Sequence, residues 1–205
     1  MWALEMEFLA QRLPMVKWIL PQAHFRRVTL SQGQVRPAWF DIASLPPHPN
    51  DFDGAGIAGS IHAAEQIILE EVQRGVHPRK IFLVGFSQGA ALSLMTGLTT
   101  LHDLGGIGSL SGWIPHRIRD HILENSSNLP IFWGLGYSDT EIPFRYALNS
   151  VEFLEEQVRI PHSSMTIKEY RDLGHETSDE ELIDLADWLE DAMKIAYDST
   201  DSGSS

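Results

Sequence analysis

The chain has 205 residues, with 15 basic against 28 acidic side chains and a net charge of −13. At about 1.4 times a typical domain length it is expected to fold as one domain whose core needs no metal or disulfide staple. The negative field disfavours nucleic acid and anionic head groups, and the absence of cysteine excludes a disulfide framework, a thiolate metal site and a cysteine nucleophile.

Glu5, Glu7, Arg12 and Lys17 interrupt the apolar residues at the N-terminus, so no signal-peptide core is present and a soluble, intracellular protein is expected. Residues 2–13 place Trp2, Leu4, Met6, Leu9, Ala10 and Leu13 at helical spacing, and Pro14 ends the run. Val16–Leu20, closed by Pro21, reads as a short buried strand. Residues 31–56 are rich in Gly, Pro and Asp and read as a long irregular excursion, the kind of loop that covers a site or is disordered. Ile57–Gln73 reads as a helix stopped by Gly75 and Pro78.

Strands and helices then alternate. Ile81–Val84 is a strand and Gln88–Leu101 a helix of small residues; the uncharged stretch 81–101 contains Gly85 and Gly89 and is not a membrane span. Gly106–Leu110 and Pro130–Leu135 are strands, Phe144–Val158 is a helix and Met165–Tyr170 is a last strand. Ser178-Asp179-Glu180-Glu181 is a capping box opening the final helix, whose apolar face carries Leu182, Leu185 and Leu189. Residues 197–205 read as a disordered polar tail, leaving 1–196 as a single domain. The alternation implies a mainly parallel sheet covered on both faces, with ligands bound beyond the carboxyl ends of its strands. Asn125-Ser126-Ser127 fits a glycosylation sequon and is read as coincidence.

Chemistry is concentrated in Gly85-Phe86-Ser87-Gln88-Gly89, at a strand-to-helix junction. A serine on so tight a turn projects its hydroxyl above the sheet, and glycine two positions either side avoids a clash. The helix beginning at Gln88 points its free N–H groups at the spot where an oxyanion would form. A serine nucleophile needs a base, and the base an orienting acid. His175, in the loop after the last strand, lies at a carboxyl end, whereas His162 precedes that strand. Asp139, in the loop after Ile131–Leu135, is the candidate acid, and Glu141 of the same loop competes with it.

Other patterns lack their context. Gly54-Ala55-Gly56-Ile57-Ala58-Gly59 follows no strand, and a calcium-type frame from Asp51 ends on His62 instead of a glutamate, so neither a dinucleotide nor a metal is expected. Trp39 and Trp113, beside loops at strand ends, are candidates for lining an acyl pocket.

The chain resembles the acyl-protein thioesterases and their lysophospholipase and carboxylesterase relatives, of the α/β-hydrolase fold. The resemblance runs through Pro21-Gln22-Ala23, Trp39-Phe40-Asp41, Gly56-Ile57, the Gly85–Leu92 string, Leu110-Ser111-Gly112-Trp113, Asp139 with Pro143, and Gly174-His175. It implies Ser87, Asp139 and His175 as the catalytic triad and the Gln88 N–H as one oxyanion donor. It also implies no cofactor and a cytoplasmic location, with the nucleus as a second one, while the charge and the interrupted apolar stretch lead us to expect no nucleic-acid partner and no stable membrane insertion. The substrates would be S-acylated proteins or lipid esters, with palmitoyl-protein hydrolysis first and carboxylesterase or lysophospholipase activity as the alternative. Two departures stand out: no His-Gly dipeptide, which the family uses for a second oxyanion donor at the end of an N-terminal strand, occurs in the chain, and Leu135-Gly136 stands where His-Gly usually precedes the acid. The expected fold is therefore an α/β-hydrolase without that N-terminal strand, and a catalytically impaired binding remnant is the competing reading.

Overall fold

A computed structural model describes residues 3–49, 51–123 and 129–201. Four strands form a parallel sheet in the order β3-β4-β5-β6: β3 (Phe82–Phe86), β4 (Gly106–Leu110), β5 (Ile131–Gly136) and β6 (Met165–Tyr170). Helices α2 (Gly54–Gln73), α3 (Gln88–Thr99) and α4 (Phe144–Phe153) pack on one face, α1 (Ala3–Arg12) and α5 (Asp179–Asp201) on the other. The result is the three-layer α/β architecture expected from the alternation.

The sheet divides the core in two because side chains alternate along each strand. On β5, Ile131, Trp133 and Leu135 join Leu94, Met95 and Leu98 of α3, whereas Phe132 faces Leu185 and Leu189 of α5. Helix α5 sits close to the sheet: a Cβ on Gly134 would lie 2.1 Å from Glu181 Oε1.

Val16–Leu20 is not a strand. Edge strand β3 makes its ladder with β4 alone, so the segment has no backbone partner there. Val16 and Trp18 instead pack against the α1–α5 cluster, and Ile19 and Leu20 are exposed. Part of the irregular excursion is also regular: Gln34–Pro37 (β2) pairs antiparallel with β1 (Phe25–Val28), and the chain reverses through Gln32 and Gly33, both at positive φ. The α4 register loosens at its end into a π-helical turn, Leu154–Val158, closed by Arg159 at φ 62°.

Helix α5 runs to Asp201, so residues 197–201, expected in the polar tail, are helical. Tyr197 is held there by the ammonium of Lys80, 3.9 Å from its ring centroid. Residues 202–205 and the Asn125 sequon lie outside the described residues. Within them, no helix is long and apolar enough to cross a membrane.

Leu94 is fully buried between α3 and the sheet. Leu94→Ala should therefore cost about 2–5 kcal/mol through lost transfer energy plus the cavity, read by denaturant unfolding.

Candidate active site

The sequence Gly85-Phe86-Ser87-Gln88-Gly89 forms a turn from β3 into α3. Ser87 adopts φ 52° and ψ −120°, a conformation that costs energy for any residue with a Cβ. Neighbours hold it there: its N–H donates to Leu110 O at 2.9 Å, and its carbonyl accepts the Ala91 N–H. Gly85 is required by space, since a Cβ would fall 2.3 Å from the carbonyl carbon of Gly89.

His175 arrives from the loop between β6 and α5. Its Nε2 lies 2.8 Å from Ser87 Oγ and its Nδ1 2.8 Å from Asp139 Oδ2. The Phe86 ring, 4.9 Å away between centroids, packs against the imidazole. Asp139 is buried, and its Oδ1 accepts the N–H groups of Glu141 and Ile142 at 2.9 and 2.8 Å. The two loops interlock: Ser138 N–H donates to Leu173 O at 3.0 Å, and a Cβ on Gly136 would sit 2.4 Å from that same oxygen.

The rivals fall elsewhere. His162 pairs with Glu155, at the amino-terminal end of the sheet. Glu141 does approach His175, but at Nε2 (3.4 Å) rather than at the nitrogen held by Asp139. Asp53, part of the calcium-like string, caps α2 by accepting the Gly56 N–H at 2.8 Å and also takes the Asp41 N–H at 2.9 Å. The Gly54–Gly59 string forms the first turns of that helix.

The two tryptophans separate. Trp39 is half-buried and its indole nitrogen lies 3.9 Å from the Cβ position of Gly89, so it covers the first turn of α3. Trp113 is fully buried against Phe40, edge-on at 6.3 Å. It lines a cleft with Phe40, Ile42, Phe52 and Tyr146 that includes none of Ser87, Asp139 or His175. Its ring is drawn into the core beneath the covering loop, and the cleft it lines is the one bounded by Phe40 and Phe52.

One functional contact is not legible in the sequence. The Gln88 side chain accepts the Trp39 N–H and donates to Phe40 O, both at 2.8 Å, clamping this loop to the Ser87 turn. The Ser60 hydroxyl adds a hydrogen bond to Trp39 O. Nothing in the local pattern distinguishes Gln88 from a solvated first-turn glutamine, since its partners lie 48 and 49 residues away. Gln88→Ala keeps the backbone N–H but removes both bonds; thermal unfolding should show a loss of about 1–3 kcal/mol.

Beneath the site, Glu181 is fully buried. Only half of the expected capping box forms: Ser178 Oγ accepts the Glu181 N–H at 3.1 Å, whereas the carboxylate makes no hydrogen bond of good geometry. Burial pushes the Glu181 carboxyl up to about 8, with Asp139 and Asp184 adding repulsion and the Ser178 backbone offsetting part of it. The folded state therefore holds a proton that the unfolded chain releases near 4.5, so this group's contribution to stability falls as pH rises from there towards about 8. Glu181→Gln should flatten that part of a Tm-against-pH curve and raise Tm at its upper end.

Residues 2–193 match the phospholipase/carboxylesterase family model. The chain is 32% identical over 206 residues to acyl-protein thioesterase 1 of Cryptococcus neoformans, covering 94% of this chain and 87% of that protein. It is 38% identical to acyl-protein thioesterase 1 of Yarrowia lipolytica, covering 90% and 82%. The crystal structure of Arabidopsis thaliana SOBER1 superposes with a TM-score of 0.82 at 30% identity, covering 92% of this chain and 90% of that one. A strand-end serine hydrogen-bonded to a histidine, inside a sheet of this topology, thus comes with a family match over nearly the whole chain: the protein belongs to the phospholipase/carboxylesterase family of α/β-hydrolases.

Proposed function

We propose that the protein is a serine hydrolase of acyl-protein thioesterase type, cleaving thioester-linked fatty acyl groups from protein cysteines. The observation that carries the assignment is the unbroken relay from Ser87 Oγ through His175 to Asp139, with 2.8 Å at each link. In the neutral imidazole, the bond to Asp139 holds the proton on Nδ1 and leaves the Nε2 lone pair facing the Ser87 hydroxyl.

Ser87 Oγ then attacks the acyl carbonyl as Nε2 takes its proton. The tetrahedral oxyanion forms beside the first turn of α3, where the Gln88 N–H and the helix dipole stabilise negative charge. Collapse breaks the carbon–sulfur bond, the leaving sulfur collects the proton from Nε2, and the acyl group stays on Ser87 until water, activated by the same imidazole, releases it. Asp139 stays ionised and stabilises the imidazolium.

Relatives named acyl-protein thioesterase support the thioester reading. A relative named carboxylesterase, SOBER1 of Arabidopsis thaliana at 30% identity, supports simple esters as a second substrate class. An inert remnant without a working oxyanion hole is the competing outcome, which the next experiment separates from either. Ser87→Ala should abolish both hydrolysis of a short p-nitrophenyl ester and labelling by a fluorophosphonate. Unchanged turnover in that variant, or a wild-type protein that neither hydrolyses nor labels, would refute the assignment.

A further inference from the structure

His175 carries a carboxylate on each side of its ring. Asp139 holds Nδ1 at 2.8 Å and is buried; Glu141 lies 3.4 Å from Nε2 and is half exposed, its side chain 48% accessible. The two have different electrostatic situations. Asp139 accepts three hydrogen bonds, from Nδ1 and from two backbone N–H groups. Among the described residues, the only charge partner within reach of Glu141 is His175, an ion pair once the imidazole is protonated, and in the resting relay it faces the nitrogen whose lone pair accepts from Ser87.

That nitrogen also defines where the leaving group must be. Nε2 hands its proton to the departing sulfur or oxygen, so whatever lies within about 3–4 Å of Nε2 on the open side lies beside the leaving group. Glu141 thus places a partly solvated negative charge there, and among the described residues no lysine or arginine forms an ion pair with it. The net charge of −13 reinforces the sign.

We propose that Glu141 makes the site selective for acyl substrates whose leaving side is cationic, such as a thioester with an ammonium or guanidinium a few bonds beyond the sulfur. The proposal rests on the hydrolase reading and deepens it. Glu141 transfers no proton in it: the bonds made and broken are those of the acyl transfer, and the carboxylate only stabilises a neighbouring positive charge as substrate binds and the leaving group departs. The spacing favours this role over a second orienting acid, because a carboxylate bound tightly to Nε2 would compete with Ser87 for that nitrogen.

The test compares two isosteric thioesters, S-butyryl thiocholine and its uncharged analogue S-(3,3-dimethylbutyl) thiobutyrate, in the wild-type protein, Glu141→Gln and Glu141→Lys. The readout is the ratio of kcat/KM for the cation to that for the neutral compound, which cancels any general damage to the relay. For a half-exposed charge the wild-type ratio should be roughly two- to fivefold at low salt, falling towards one at about 0.5 M salt as screening shortens the field. Glu141→Gln should bring the ratio near one at both salt concentrations, and Glu141→Lys should invert it. A ratio equal in wild type and Glu141→Gln, or a wild-type preference for the neutral compound, overturns the proposal while leaving the hydrolase reading intact. Failure of the wild-type protein to turn over either thioester overturns both.

Discussion

The backbone of Ser87 is the constraint on which the rest of the structure depends. Its φ of 52° is unfavourable for a residue with a Cβ, and three features compensate for it. Gly85 removes the atom that would collide with Gly89, Leu110 O on the neighbouring strand takes the Ser87 N–H, and α3 begins at the next residue. Strain held by packing on both sides is the condition under which such a conformation persists. It points the hydroxyl out of the end of the sheet and the first-turn N–H groups of α3 towards the same place.

Parallel topology then supplies the partners. All four strands of the main sheet run in one direction, so the loops after β5 and β6 emerge on the same edge as the turn after β3. Asp139 and His175 reach Ser87 from these loops, and the loops are tied together where Ser138 and Gly136 meet the Leu173 carbonyl. Asp139 and Glu141 share a loop two residues apart yet reach opposite nitrogens of one ring. The difference follows from burial: Asp139 is enclosed and saturated with donors, whereas Glu141 faces the side open to solvent.

The Ser87 turn is also bound to the long loop ahead of α2. Gln88 reaches back to the backbone of Trp39 and Phe40, Ser60 holds the Trp39 carbonyl, and Asp53 joins the Asp41 backbone to the start of α2. This places Trp39 over the first turn of α3 and Phe40 against Trp113, and ties the position of the covering loop to the integrity of the turn.

What the sequence determined by itself was local and periodic. Strands β4 and β5 and helix α3 are legible because apolar runs of the right length are bounded by glycine or proline, and the Gly-x-Ser-x-Gly string names its residue because only one backbone geometry suits it. Chain order and strand ends single out His175, and they place Asp139 and Glu141 in one loop. The tertiary structure decided what depends on distant partners. Val16–Leu20 has strand-like residues but no ladder to join, β1 and β2 pair without alternation strong enough to announce it, and Trp113 turns into the core although it follows a strand end. The choice between Asp139 and Glu141 belongs to the same class, since which carboxylate meets Nδ1 is set by three-dimensional enclosure, a quantity absent from any linear pattern.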